Sequence, residues 1–173
     1  LNLSSNLIDI IYFILKKKYK IIYRPHPIDL TKKGNNQLVK NVIERFKNYN
    51  NFKTDLSSSY LTSYSKSKVL ITDFSGTAYT YSFSTNKPVI FFSKNNNGKL
   101  FSNLKKLNYF KDRNEIGYIV NSLQNLNDKL NKITKNKTIF RDKIKKLRIK
   151  RIQYFGNSLN VTKKEIEKLF WNK

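Results

Sequence analysis

The only histidine of this 173-residue chain stands between two prolines, in Arg24-Pro25-His26-Pro27. Arg24 offers a planar, permanently charged fork suited to phosphate oxygens. His26 can donate to a phosphate or move a proton near neutral pH. Pro25 and Pro27 restrict the backbone and close the preceding strand-forming run KYKIIY. A surface histidine in a rigid turn is the competing reading, since one histidine is weak evidence of catalysis. A second polar group follows the apolar run KVLIT, in Thr72-Asp73-Phe74-Ser75-Gly76-Thr77. Ser75, Gly76 and Thr77 fall at the start of a predicted helix, where free N–H groups and the positive dipole end suit phosphate. Gly76 lets a ligand approach the backbone, and the hydroxyls of Ser75 and Thr77 add donors. Simple capping by Asp73 or Ser75 would account for the same residues.

Other chemistries find little support. The chain has no cysteine and a single histidine, so thiolate sites and histidine metal pairs are excluded. Five glycines make no Walker-type loop and no GxGxxG. Glu44, Glu115, Glu165 and Glu167 read as solvated helix faces. No metal and no cofactor are expected.

The elements that must position the two groups alternate. YKIIY, FKTDL, KVLIT, KPVIFFS and GYIV read as strands. LIDIIYFILKKK, QLVKNVIERFKNY, SSSYLTSYSKS, FSGTAYTYSFSTN, SLQNLNDKLNKI, TIFRDKIKKLRIKRIQYF and VTKKEIEKLF read as helices, and 94–114 as a Lys/Asn-rich loop. This alternation predicts an α/β fold, a doubly wound parallel sheet in one domain over residues 1–173. Ligands of such sheets bind beyond the carboxyl ends of the strands, where both polar groups fall.

The charge is extreme, 35 Lys and Arg against 11 Asp and Glu, a formal +24. That field favours anionic partners: nucleotides, phosphorylated polymers, nucleic acid or acidic lipid. A nucleic-acid-binding module is a reading of another class. Against it, the lysines are spread along the chain and most aromatics occupy apolar helix and strand positions. The segment KIKKLRIKRIQYF sets Ile144, Leu147, Ile152 and Phe155 toward one side among many cations, a pattern that suits an anionic membrane surface or inward packing of the stripe. The helix LIDIIYFIL is apolar nearly all round, so it is expected to be buried or covered by another domain. No apolar run reaches the length of a membrane span. The chain starts at Leu1 and lacks methionine, so it is expected to be part of something longer.

YRPHP, SYSKSKVLITDFSG and KPVIFF resemble the C-terminal half of the CDP-glycerol glycerophosphotransferases, the teichoic-acid polymerase and primase family. NYFKDRNEIGYIVNSLQNLNDKL and the closing YFGNSLN are similar to later segments of that family, so the likeness runs from about Lys20 to the end. One departure is Lys106-Leu107-Asn108, where the family often carries an Arg-Gly pair. The resemblance implies a Rossmann-like domain, the C-terminal half of a glycosyltransferase-B architecture, whose acceptor half is missing here. It implies attack by an acceptor hydroxyl on the β-phosphorus of a CDP-activated polyol, with release of CMP. On this chain His26 would assist proton transfer or stabilise the β-phosphate, and Arg24 would support that phosphate or its loop. Asp73, Ser75, Gly76 and Thr77 would form the pyrophosphate turn. The acceptor would be polymeric or lipid-linked, and the location cytoplasmic or peripheral on the inner face of the plasma membrane. The nearest alternative is a sugar-nucleotide glycosyltransferase building capsule or another surface polysaccharide.

Overall fold

The computed structural model describes residues 6–31, 35–93 and 106–171. The strands are β1 Ile21–Tyr23, β2 Phe52–Thr54, β3 Leu70–Thr72, β4 Val89–Phe92 and β5 Gly117–Val120. The helices are α1 Leu7–Lys16, α2 Pro27–Thr31, α3 Asn35–Phe46, α4 Leu61–Lys66 and α5 Thr77–Thr85, then α6 Asn108–Lys111, α7 Arg113–Ile116, α8 Leu123–Lys135, α9 Arg141–Arg151 and α10 Ser158–Trp171. The fold is mixed α/β, and the strand pairs among the described residues are parallel.

The strands form two small sheets, β1–β2 and β3–β4–β5, where the alternation predicts one. Each strand has only three or four residues, so each ladder is short. Ile21 of β1 and Ile71 of β3 nevertheless pack against the same apolar cluster.

The core explains why β4 is apolar at every position. Val89 and Phe91 face α5 and α9, packing with Ala78, Tyr81, Ile144 and Leu147. Ile90 and Phe92 face the opposite way, against Ile10 and Ile14 of α1 and Leu126, Leu130 and Ile133 of α8. Alternate residues of a strand point to opposite faces, so a strand covered on both sides must be apolar throughout. Gly117 opens β5 for a packing reason: a Cβ there would lie 1.8 Å from the Val89 carbonyl oxygen of β4.

The all-round apolar character of α1 has the same origin. Ile10 and Ile14 enter the cluster over β4, while Ile11 and Leu15 pack with Val42 and Phe46 of α3. The helix is therefore buried between two clusters, with Asp9 and Tyr12 left facing water. In α9, Ile144 and Leu147 are buried, whereas Ile152 and Phe155 beyond them are exposed. Inward packing thus accounts for the first half of that basic, apolar stripe. Among the described residues no helix is long and apolar enough to cross a membrane.

The stretch read as a loop over 94–114 is a loop only in part. Residues 94–105 lie outside the described residues, but Asn108–Lys111 and Arg113–Ile116 form two short helices. Four-residue helices carry too little periodicity to be read from sequence. Asp112, between them, receives Nε and Nη2 of Arg151 at 2.6 and 2.9 Å, which ties α9 to this corner.

Candidate phosphate site

The two-proline turn has a local cause. His26 is the residue before α2, and Pro27 takes the first helical position, where a missing N–H costs nothing. The His26 Nδ1 accepts from the Ile28 N–H at 3.2 Å, capping the helix start. An acceptor at Nδ1 leaves the proton of the neutral ring on Nε2. The ring is exposed, whereas Pro25 is buried and fixes the chain as it leaves β1.

Arg24 is engaged within the chain. Its Nη1 pairs with Asp55 Oδ2 at 2.7 Å, and its Nη2 donates to the Ser57 carbonyl at 2.7 Å. Longer contacts of 3.3 Å reach the Ser57 hydroxyl and the carbonyls of Ser58 and Ser59. The guanidinium thus braces the loop after β2. Asp55 also accepts from the Ser57 hydroxyl at 2.6 Å, the Ser57 N–H at 3.0 Å and the Ser63 hydroxyl. These hydroxyls, led by Ser57, with the Arg24 charge added, hold the Asp55 carboxyl well below the usual carboxylate range.

The second group forms the tip between β3 and α5. Asp73, Phe74 and Ser75 are half-buried, and Gly76 and Thr77 are exposed. Ser75 Oγ accepts weakly from the Thr77 N–H at 3.3 Å, and the Ser75 carbonyl accepts from Ala78 N–H at 3.1 Å. Gly76 has φ −57° and ψ −25°, a conformation open to any residue. A Cβ at this position would meet no atom within 4 Å. Neither backbone conformation nor packing among the described residues calls for glycine here.

Tyr64 of α4 is buried, which pushes its pKa up against the opposing influence of the Arg24 charge and the Thr77 hydroxyl. It packs edge-on to Tyr81 of α5, with ring centroids 5.1 Å apart. α4 therefore touches the loop that Arg24 braces, through Ser63 on Asp55, and α5, through Tyr64 on Tyr81. Lys87 fixes the far end of α4, donating to the Ser65 and Ser67 carbonyls at 2.8 and 2.7 Å.

Behind the tip lies a corner that motif reading did not assign. Tyr109 donates its hydroxyl to the Ser75 carbonyl at 2.7 Å, and Tyr79 donates to the Tyr109 carbonyl at 2.5 Å. The Arg113 guanidinium is enclosed by the rings of Phe110, Phe91, Phe74 and Tyr109, at 4.1, 4.7, 4.9 and 5.3 Å. Burial lowers its pKa and raises that of Tyr109. The available signal is the spacing of Tyr109, Phe110 and Arg113, three to four residues apart, which brings ring and cation together on a helical turn. Among the described residues, no cluster of three or more acidic or imidazole groups could hold a metal.

The tip carries two hydroxyls at the positive end of a helix, with a buried cation behind it, while the exposed imidazole follows the other strand-end turn. Such a set suits a phosphorylated ligand. None of the curated proteins compared with the chain matches it. Residues 13–153, which contain both polar groups and the Tyr109–Arg113 corner, match the model of the LIC12162 family transferase, and the chain belongs to that family of transferases.

Proposed function

We propose that this chain is the nucleotide-binding half of a transferase that moves a polyol phosphate from a CDP-activated donor to a lipid-linked or polymeric acceptor at the cell surface. The observation that carries the reading is the tip of α5, where nothing among the described residues demands a glycine at position 76. A glycine without an internal reason is explained by a ligand that needs the space. The diphosphate lies across residues 75–77, drawn by the positive end of the helix and the Gly76 N–H and held by the hydroxyls of Ser75 and Thr77. Asp73 closes the turn on the strand side.

The acceptor hydroxyl attacks the β-phosphorus. A new O–P bond forms, the bond to the bridging oxygen breaks, and CMP departs with that oxygen while the hydroxyl proton passes to a base of the acceptor-binding half. His26 meets this chemistry with an Nε2–H, because its Nδ1 is occupied by the Ile28 N–H. That tautomer favours a donor role, stabilising charge on the β-phosphate oxygens, over removal of the hydroxyl proton. Arg24 acts through the loop it braces.

The two sheets then read as one doubly wound order, 2-1-3-4-5, a reading supported by Ile21 and Ile71 sharing one cluster. In that order both loops leave the carboxyl ends of adjacent strands. A preceding acceptor-binding half completes the cleft, so the isolated chain binds donor without turnover, in the cytoplasm or at the inner face of the plasma membrane.

Calorimetry with CDP-glycerol, CDP, cytidine and a UDP-sugar tests this. CDP-glycerol and CDP should bind, cytidine should not, and Ser75→Ala should weaken CDP several-fold. If no cytidine nucleotide binds, the donor assignment is lost. A tighter UDP-sugar would move the chain to the glycosyltransferases.

A further inference from the structure

Arg113 is among the largest fully buried side chains, 1% exposed. Its Nε and Nη2 are buried without a hydrogen-bond partner. These two nitrogens share one edge of the guanidinium plane, the edge that Arg151 presents to the two oxygens of Asp112. Arg113 carries the same two-pronged donor with no acceptor on it. Four rings, the Tyr109 hydroxyl and the Asp73 charge favour the cation from nearby, but no oxygen accepts from these two nitrogens. Buried donors are almost always paired, and an unpaired one costs about 1–3 kcal/mol, more for a charged group. An edge of this kind is matched by two oxygens of a phosphate or carboxylate.

Its place in the fold narrows the choice of anion. Phe74, whose ring lies 4.9 Å from the guanidinium, belongs to the turn after β3. Tyr109, which also touches the guanidinium, donates to the Ser75 carbonyl. The cation therefore sits directly behind the helix tip. We propose that the Nε/Nη2 edge of Arg113 is a second anion receptor of this site, taking two oxygens of the diphosphate whose other oxygens lie on residues 75–77. This rests on the reading of the tip given above. Phe74 and Phe110, both half-buried with ring centroids 5.7 Å apart, cover the guanidinium, and the incoming phosphate displaces one of them. A cation in such a low-dielectric pocket holds a phosphate more strongly than a solvated lysine does.

The test is a titration of the whole chain labelled with 15N at arginine side chains and at glycine, using pyrophosphate, CDP and cytidine. The labels report on Arg113 Nε–H, assigned through its contacts with the Phe110 ring, and on the Gly76 amide, one of five glycine signals. Both resonances should move with pyrophosphate and CDP at a common midpoint, and neither with cytidine. Arg113→Lys, which keeps the charge but not the fork, should weaken CDP at least 10-fold. A Gly76 signal that titrates beside a stationary Arg113 Nε–H overturns the receptor and leaves the tip assignment standing. If neither resonance responds, tip and receptor fall together. Should Arg113→Lys not fold, the wild-type titration decides alone.

Discussion

The hydroxyl of Tyr109 donates to the carbonyl oxygen of Ser75 at 2.7 Å, and that carbonyl shares a peptide unit with the N–H of Gly76. Fixing one end of a planar peptide fixes the other, so a residue 34 positions away sets the direction in which the Gly76 N–H points. Tyr79 returns the tie by donating to the Tyr109 carbonyl. Tyr109→Phe keeps the ring against Arg113 and removes only the hydroxyl. It should cost about 0.5–1.5 kcal/mol of stability and weaken CDP about 5- to 10-fold. Thermal unfolding and calorimetry on the same sample separate the two effects. A loss of stability with unchanged CDP affinity would make Tyr109 a strut only.

Asp55 gives the chain an acid-sensitive loop. Its carboxyl is held low by Ser57, Ser63 and Arg24, so the folded state favours the ionised form. The resulting stabilisation is present above the unfolded value of about 4 and disappears as pH falls through the lower folded value. Unfolding free energy should therefore drop below about pH 4. In Asp55→Asn it should be lower at pH 7 and flatter in that acid range, as urea melts at a series of pH values would show. A variant with the same acid slope as wild type would place the sensitivity elsewhere.

The cap made by His26 can be separated from its chemistry. Asn is a good residue at a helix start, so His26→Asn should keep stability within about 0.5 kcal/mol, while His26→Ala should lose about 1 kcal/mol. Neither retains an Nε2–H. In the complete transferase proposed above, both should reduce transfer by about 100-fold or more. Full transfer by the Asn variant would reduce His26 to a cap.

Much of this was legible in the residues, and the misses have physical causes. The strands announce themselves because β4 is buried on both faces and β5 starts at a glycine forced by the Val89 carbonyl. The helix start after Asp73 is readable because Ser, Gly and Thr cluster after an apolar run. Arg24 looks like a phosphate fork on its own, but its acceptors, Asp55 and the carbonyls of Ser57 to Ser59, lie more than 30 positions away. Pairings over that distance leave no local pattern. The same holds for Tyr109 with Ser75, and for the rings that close over Arg113 from β4 and from the turn after β3. Short helices at 108–111 and 113–116 are set by this tertiary packing rather than by periodicity.

Gly76→Ala is the most direct test of the claim that the tip of α5 holds a diphosphate. The backbone there already suits alanine, and the added methyl meets nothing among the described residues. Stability should change by less than about 1 kcal/mol. Because the methyl would occupy the space over the open tip, CDP affinity measured by calorimetry should fall at least 10-fold. A variant that is equally stable and binds CDP as tightly as wild type would contradict the account.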